Sequence, residues 1–256
     1  MKIATWNVNS LNVRLPHVLD WIDANKPDAL CLQETKQEDI KFPYDALKEA
    51  GYNAIHTGQK TYNGVAILSP HEMTDVHTAI PNFADEQKRL IAATINGVRI
   101  VCVYIPNGQA VDSEKYQYKL SWLEAFTPWL QAEIAKYPKL ALLGDYNIAP
   151  EDIDCHDPAA WVGQVLVSPL ERDAFKKLIG LGLEDSFRLF DKNEGQFSWW
   201  DYRMAGFRRN LGMRIDHILI TPALKEISTT SYIDKAPRKL ERPSDHTPVV
   251  LEMGCE

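Results

Sequence analysis

The chain has 256 residues, of which 45% are hydrophobic and 25% charged, and its formal charge is −7. That balance excludes a disordered chain and leaves room for a sizeable core, while the net negative charge argues against indiscriminate nucleic-acid binding without forbidding a local basic face. The opening M-K-I-A-T-W-N-V-N-S is too weakly apolar for a signal peptide, no later run reaches membrane-spanning length, and Cys31, Cys102, Cys155 and Cys255 show no C-x-x-C spacing, so a cytoplasmic chain with reduced thiols is expected.

Lys2 to Trp6 reads as a first strand. Leu15, Val18, Leu19 and Ile22 then fall at helical spacing, with Pro16 placed as a first-turn residue. Asp28 to Gln33 and Gly64 to Ser69 are further strand candidates. Leu90 to Ile95 and Val98 to Tyr104 flank Asn96-Gly97, a strong hairpin signal that excludes an all-parallel sheet. Ser113 to Lys136 is helical in composition, and Pro128 predicts that it breaks into two pieces. Leu140 to Leu143 suits a strand buried on both faces, ending in Gly144, Asp145 and Asn147. Ser168-Pro169-Leu170-Glu171 is a capping box that opens a helix running to about Ile179 and stopped by Gly180 and Gly182. Phe197 to Trp200, Arg214 to Thr221, Ser228 to Ile233 and Thr247 to Met253 complete the strands. No repeat or linker divides the chain, so one domain over residues 1–256 is expected, with two mixed sheets packed on each other and helices outside.

Polar groups follow several of the central apolar runs. Trp6 is followed by Asn7 and Asn9, Leu32 by Gln33 and Glu34, Val103 by Tyr104, and Leu143 by Gly144 and Asp145. Asp216 sits inside an apolar strand pattern, where an unpaired carboxylate is costly to desolvate; Arg214 and Arg209 are candidate partners. Asp245 and His246 lead into the last strand. Each has an ordinary structural explanation, a turn cap for Asn7 or a core position for Tyr104. Together they are the inventory of a phosphoester hydrolase: a carboxylate for a hard cation, an imidazole oriented by a second carboxylate, and neutral donors for phosphate oxygens.

The segments W-N-V-N-S-L, L-Q-E-T-K, Y-I-P-N-G, L-L-G-D-Y-N-I-A-P, F-S-W-W-D-Y-R, L-G-M-R-I-D-H-I-L and P-S-D-H-T-P-V, in this order, resemble the exonuclease III and apurinic/apyrimidinic endonuclease branch of the endonuclease/exonuclease/phosphatase family. The resemblance implies an α/β fold, a four-layer α/β-β/α sandwich, with the site at one edge of the sheets. It implies Mg²⁺, with Mn²⁺ as the alternative, held by Glu34 with Asn7 beside it and a direct or water-mediated contact from Asp245. Asp145 would orient and deprotonate the attacking water, and His246, oriented by Asp216, would meet the scissile phosphate or that water. Asn147 and Tyr104 would hydrogen-bond phosphoryl oxygens.

Arg203, Arg208, Arg209 and Arg214 form one basic group and Arg238, Lys239 and Arg242 a second; each reads as a solvated loop or as phosphate-backbone contacts. By resemblance, Trp199, Met213 and Ile215 would form the pocket for a base-free sugar, and Arg203, Arg208, Arg209 and Asn107 would contact DNA. Cys155-His156-Asp157 and Val165-Leu166-Val167 fall where family members vary, and Leu166 is large for a position often given to Gly or Ser. Bulk there would tilt the protein towards trimming 3′ ends. Gln109 and Ala110 offer no cation to wedge into a duplex.

The expected activity is therefore hydrolysis of phosphodiesters 5′ to abasic sites, and of nucleotides or blocking groups at 3′ ends, in double-stranded DNA, by a monomer that contacts no membrane. The alternatives are a 3′-exonuclease and 3′-phosphatase with little abasic incision, a phosphoinositide-type phosphatase, and a non-catalytic nucleic-acid binding module. The absence of G-x-G-x-x-G and of G-x-x-x-x-G-K-[ST] argues against Rossmann and P-loop enzymes.

Overall fold

A computed structural model describes residues 1–254, which leaves Cys255 outside the described residues; Cys31, Cys102 and Cys155 are buried free thiols. The strands are β1 (Lys2–Asn7), β2 (Ala29–Gln33), β3 (Asn53–Thr57), β4 (Val65–Ser69), β5 (Thr74–His77), β6 (Leu90–Ile95) and β7 (Val98–Tyr104). They continue with β8 (Leu140–Asp145), β9 (Glu184–Asp185), β10 (Trp199–Trp200), β11 (Gly212–Met213), β12 (Asp216–Ile220), β13 (Ser228–Ile233) and β14 (Val249–Met253). The helices are α1 (Leu11–Asn25), α2 (Tyr44–Glu49), α3 (Glu114–Lys136), α4 (Pro158–Trp161), α5 (Pro169–Gly180), α6 (Ser186–Phe190) and α7 (Pro222–Ile227).

Two six-stranded sheets result, ordered β13-β14-β1-β2-β4-β3 and β5-β6-β7-β8-β12-β9, with a small β10-β11 ribbon beside them. Within each sheet one central pair is parallel, β1 with β2 and β7 with β8, while the other pairs are antiparallel. Period-two alternation then divides the apolar side chains between layers. On β7, Ile100 and Cys102 enter the core between the sheets, where Ile3, Cys31, Ile67 and Leu143 meet them. Val101 and Val103 face outward against Trp122, Phe126 and Leu130 of α3 and Phe175 and Leu178 of α5. Across the molecule, Ala4 and Trp6 of β1 pack on Val18, Trp21 and Ile22 of α1. The architecture is the expected four-layer α/β sandwich.

The hairpin at Asn96-Gly97 forms with Ile95 opposite Val98, and the Ser168 to Glu171 capping box closes in both directions. Two proline expectations fail for one reason. Helix α3 runs unbroken through Pro128, and α1 begins at Leu11 so that Pro16 lies inside it. Both prolines are exposed, and the carbonyls left without an N–H belong to Asn12 and Glu124, which are exposed as well. Water can serve those carbonyls, and the buried opposite faces hold the helices together.

Strand β8 lies tightly against β7. A Cβ on Gly144 would stand 1.9 Å from the Val103 carbonyl oxygen, so a side chain there forces the two strands apart. Gly144→Ala should therefore lose about 2–3 kcal/mol, seen as a melting temperature lower by roughly 4–10 °C. Gly180→Ala, where a Cβ would meet nothing within 4 Å, is the control expected not to lower it.

Candidate active site

The strand directions bring separate polar groups to one edge. Strands β1, β2, β7 and β8 all end there, at Asn7, Gln33, Tyr104 and Asp145. Strand β12 runs the other way and starts there, with Asp216 directly opposite Asp145. The segment ahead of β14 supplies Ser244, Asp245 and His246.

Glu34 follows β2 in left-handed backbone, at φ 52°. Its Oε1 accepts from Asn7 Nδ2 at 3.0 Å and from the Tyr104 hydroxyl at 2.8 Å, and Lys36 Nζ stands 3.1 Å from Oε2. Burial would raise its pKa, but the Lys36 ammonium and the bonds from Asn7 and Tyr104 more than offset this and hold the carboxylate below its ordinary range. Asn7 Nδ2 also donates to Asp145 Oδ2 at 2.9 Å, and Asn7 Oδ1 accepts from the Asn9 amide at 2.9 Å. The oxygens here that a cation could use are the Glu34 carboxylate, its side chain 18% exposed and now met by Asn7 Nδ2, the Tyr104 hydroxyl and Lys36 Nζ, and Asn7 Oδ1. Such a set fits a hard divalent cation, which commonly takes only one or two protein carboxylates.

His246 lies between two acids. Its Nδ1 is 2.8 Å from Asp216 Oδ2, and its Nε2 is 3.7 Å from Asp145 Oδ2. Ser198 Oγ donates to Asp216 Oδ2 at 2.7 Å and receives the backbone N–H groups of Ile215 and Asp216, fixing the carboxylate from behind. Asp216 thus pairs with His246 and Ser198, not with Arg214 or Arg209. Burial alone would depress the imidazole, but Asp216, Asp145 and Asp245 overcome it and lift His246 to about 10. Burial, reinforced by Asp216 and opposed by His246, pushes the Asp145 carboxyl up to about 7. Ligand atoms of Asp145, Asp216 and His246 all lie within 4.8 Å of one another. They make a poor cation site as arranged, because an imidazolium has no lone pair to give and Nδ1 is committed to Asp216.

Asp245 points elsewhere. Its carboxylate accepts from Asn9 Nδ2 and from Trp199 Nε1, both at 3.0 Å. Asn9 Oδ1 in turn accepts from Lys36 Nζ at 2.7 Å, which links Asp245 to the Glu34 side of the site. Asn147, at φ 50°, donates its backbone N–H to Asp145 Oδ1 at 2.9 Å and its Nδ2 to the Ile105 carbonyl, leaving one amide hydrogen uncommitted. Asn107 Nδ2 donates to Asn147 Oδ1 at 3.0 Å. The Tyr104 hydroxyl, by contrast, already donates to Glu34.

Behind these groups lies Lys119, which nothing in the sequence pattern distinguished from the solvated lysines of α3. It is fully buried, donates to the carbonyls of Asn107 and Asn147, and pairs with Glu171. Lys36, Ser198 and Ser244 were likewise unassigned, although each lies in a quoted motif. Ser244 Oγ ties the His246 segment to β1 through the Asn7 carbonyl at 2.7 Å.

Met213, Ile215 and Leu166 are buried together with Ala149, Cys155 and Val167, and Trp199 packs against them half-exposed. The basic groups divide. Arg203, Arg208 and Arg209 are exposed, and Arg203 is paired with Asp201. Arg214 is not a surface cation: only 2% exposed, it is locked between Asp154 and Asp185, both at 2.7 Å. Arg238 is also buried, donating to the Ser244 carbonyl at 2.7 Å beneath Trp200, Tyr202 and Phe207, while Lys239 and Arg242 are exposed. A groove of about 740 Å³ beside Tyr104 and Asn107 is lined also by Tyr62, Arg89, Lys115 and Tyr118.

The His246 environment makes a measurable statement. Its folded pKa of about 10 lies above the ordinary 6.5, so the stability it contributes is complete below about pH 6.5 and is lost as pH rises through about 10. In an NMR titration the ring should remain protonated through pH 8. Asp216→Asn should move its titration downward towards the ordinary range; an unmoved midpoint would show that Asp216 does not set the charge.

Residues 4–246 match the Endonuclease/Exonuclease/phosphatase family. The chain is 35% identical to exodeoxyribonuclease III of Haemophilus influenzae, covering 98% of this chain and 99% of that protein. Two solved structures superpose over the whole of both chains: a 3′ phosphatase from Neisseria bound to product DNA hairpin, with TM-score 0.98 and 48% identity, and an AP endonuclease from Archaeoglobus fulgidus, with TM-score 0.96 and 42% identity. With a polar edge built as the motifs required and the match running nearly end to end, the chain belongs to the endonuclease/exonuclease/phosphatase family.

Proposed function

We propose that this chain is a metal-dependent DNA-repair nuclease that hydrolyses phosphodiesters beside abasic sites and at 3′ ends, with residues 1–256 acting as one domain and Mg²⁺ as the ion. The observation that carries this is the convergence at one sheet edge of Glu34, Asp145 and a His246–Asp216 pair. The first belongs with a hard cation, the second with a proton acceptor, and the third with a fixed positive charge.

Glu34 would hold the ion with Asn7 beside it, Asp245 being linked to them through Asn9 and Lys36, and Mg²⁺ when bound would neutralise charge on the phosphate. Asp145 takes a proton from water as the water oxygen bonds to phosphorus and the bond to the departing ester oxygen breaks, so it must be ionised. Its two neutral donors, Asn7 Nδ2 and the Asn147 N–H, stabilise the anion and aim it. The His246 imidazolium, held by Asp216, sits where negative charge grows on the phosphoryl oxygens. Asn147 has an amide hydrogen left for one of those oxygens. Tyr104 must first give up its bond to Glu34 to donate there, so its immediate task is to position Glu34.

DNA would lie across the exposed Arg203, Arg208 and Arg209 loop and the groove beside Asn107, with an abasic sugar directed towards Trp199, Met213 and Ile215. Similarity to exodeoxyribonuclease III, together with the basic loop, favours DNA over an inositol phosphate. A non-catalytic binding module would have no use for a buried acid held beside an imidazolium. The test is a duplex panel with an internal abasic analogue, a recessed 3′ end and a 3′-phosphate, assayed with Mg²⁺ and with EDTA. Cleavage abolished by EDTA and restored by Mg²⁺ is expected; chelator-resistant cleavage, or none on any duplex, would overturn the assignment.

Asp145→Asn should lower kcat by about 10²–10⁴ while leaving the melting temperature within a few degrees. Near-normal turnover would remove Asp145 from the proton transfer. Leu166, at φ 78°, is buried in one cluster with Met213 and Ile215 in a conformation that glycine adopts freely. Leu166→Gly should therefore raise internal abasic incision relative to 3′ trimming, and an unchanged ratio in the same panel would dismiss Leu166 as a selectivity residue.

A further inference from the structure

His56 on β3 is a buried imidazole that the proposed chemistry does not use. Its side chain is fully enclosed: it stacks on Phe42 with ring centres 4.1 Å apart, and Gly58 leaves no room for a Cβ, which would stand 2.3 Å from His56 Cε1. Nδ1 lies 2.8 Å from Asp39 Oδ1, and that same oxygen accepts from the Gly58 N–H at 2.9 Å. Nε2 lies 2.8 Å from the hydroxyl of Thr35, the residue that follows Glu34. Burial outweighs the pull of Asp39 and lowers the imidazole to about 4, so the ring is neutral. Nδ1 lies beside Asp39 without a well-aligned hydrogen bond to it, so the bonded contact of the ring is Nε2 with the Thr35 hydroxyl.

Thr35 is the residue that needs such an anchor. Glu34 and Lys36 on either side are both left-handed, at φ 52° and 54°, and non-glycine residues hold that conformation only where the surroundings enforce it. Backbone bonds fix part of the turn: Ser10 N–H to the Glu34 carbonyl, Leu11 N–H to the Thr35 carbonyl, and Lys36 N–H to the Asn63 carbonyl. Thr35 contributes its buried side chain, whose Oγ1 is so close to Gly64 that a Cβ there would stand 2.1 Å away. This double turn lets Glu34 and Lys36 meet at 3.1 Å in the site.

We propose that His56, held beside the Asp39 carboxylate and acting through the Thr35 hydroxyl, is a positioning residue that holds the Glu34 carboxylate in place for a divalent cation. The proposal rests on Glu34 being the cation ligand. It is tested by Mn²⁺ binding to the DNA-free protein, counted from the loss of the free-ion EPR signal, with folding followed by thermal melts. Thr35→Val should weaken Mn²⁺ binding by about tenfold, as expected when the group orienting a ligand is lost. Thr35→Ser should restore most of the affinity, and His56→Phe, which keeps the stacking, should match Thr35→Val without adding to it in the double variant. Wild-type affinity in folded Thr35→Val, or equal losses in Thr35→Val and Thr35→Ser, would overturn the proposal. Asp39 is 60% exposed, so Asp39→Ala tests the same chain if the buried variants fail to fold; weaker binding supports it and unchanged binding overturns it. Glu34→Gln separates the two levels. Loss of binding there upholds the ligand assignment whatever Thr35 does, and retained binding would remove that assignment itself.

Discussion

Two sheets meet at one edge through charges that water reaches poorly, and the molecule has to satisfy them with one another. His246 belongs to the segment feeding the first sheet, while Asp216 and Asp145 belong to the second. Asn7 and Glu34 likewise come from the first sheet and bond Asp145 and Tyr104 of the second. A buried acid without a partner is costly, so the sheets can close only when each acid finds its donor. The polar edge is therefore a condition on how the sandwich closes as well as the place of chemistry. Its donors can be aimed to within a bond length because rigid strand ends carry them.

That condition explains what the sequence disclosed. Central strands buried on both faces appear as unbroken apolar runs, and a polar residue at the end of such a run is conspicuous; Asn7, Glu34, Tyr104 and Asp145 are legible in this way, and Asp216 as an acid inside an apolar pattern that needs a partner. Of the four outer strands only β13 is legible, with the bounds Ser228 to Ile233. All four residues of β5 are exposed, β3 is largely polar, and β9 has two residues, so none carries an apolar stripe for a pattern to reveal. Lys119 was invisible for a different reason: a lysine within an amphipathic helix reads as solvated unless its buried counter-ion, 52 residues away, is known. Arg214 misled for the same reason. Its partners Asp154 and Asp185 are far off in sequence, so its neighbours made it resemble part of a basic surface loop.

The cations also show why net charge says little here. Arg214 and Arg238 are spent internally and Arg203 is held by Asp201, while Arg208, Arg209, Lys239 and Arg242 face solvent on the segments that flank Trp199 and His246. A chain of charge −7 can thus keep exposed cations on the segments that flank its site.

One buried carboxylate ties the Leu166 loop to the loops that carry Asn107 and Asn147. Glu171 Oε1 accepts both the Lys119 ammonium and the Leu166 backbone N–H, while its Oε2 takes the Ser168 N–H and hydroxyl that cap α5. Lys119 in turn holds the carbonyls of Asn107 and Asn147. The Leu166 backbone is therefore fixed against the same framework that holds the Asn107 and Asn147 loops. Because that bond uses the main chain, the side chain at position 166 can change without disturbing the framework. A change of bulk at position 166 would thus act on the packing around Met213 and Ile215 while the groups around Asp145 stay in register.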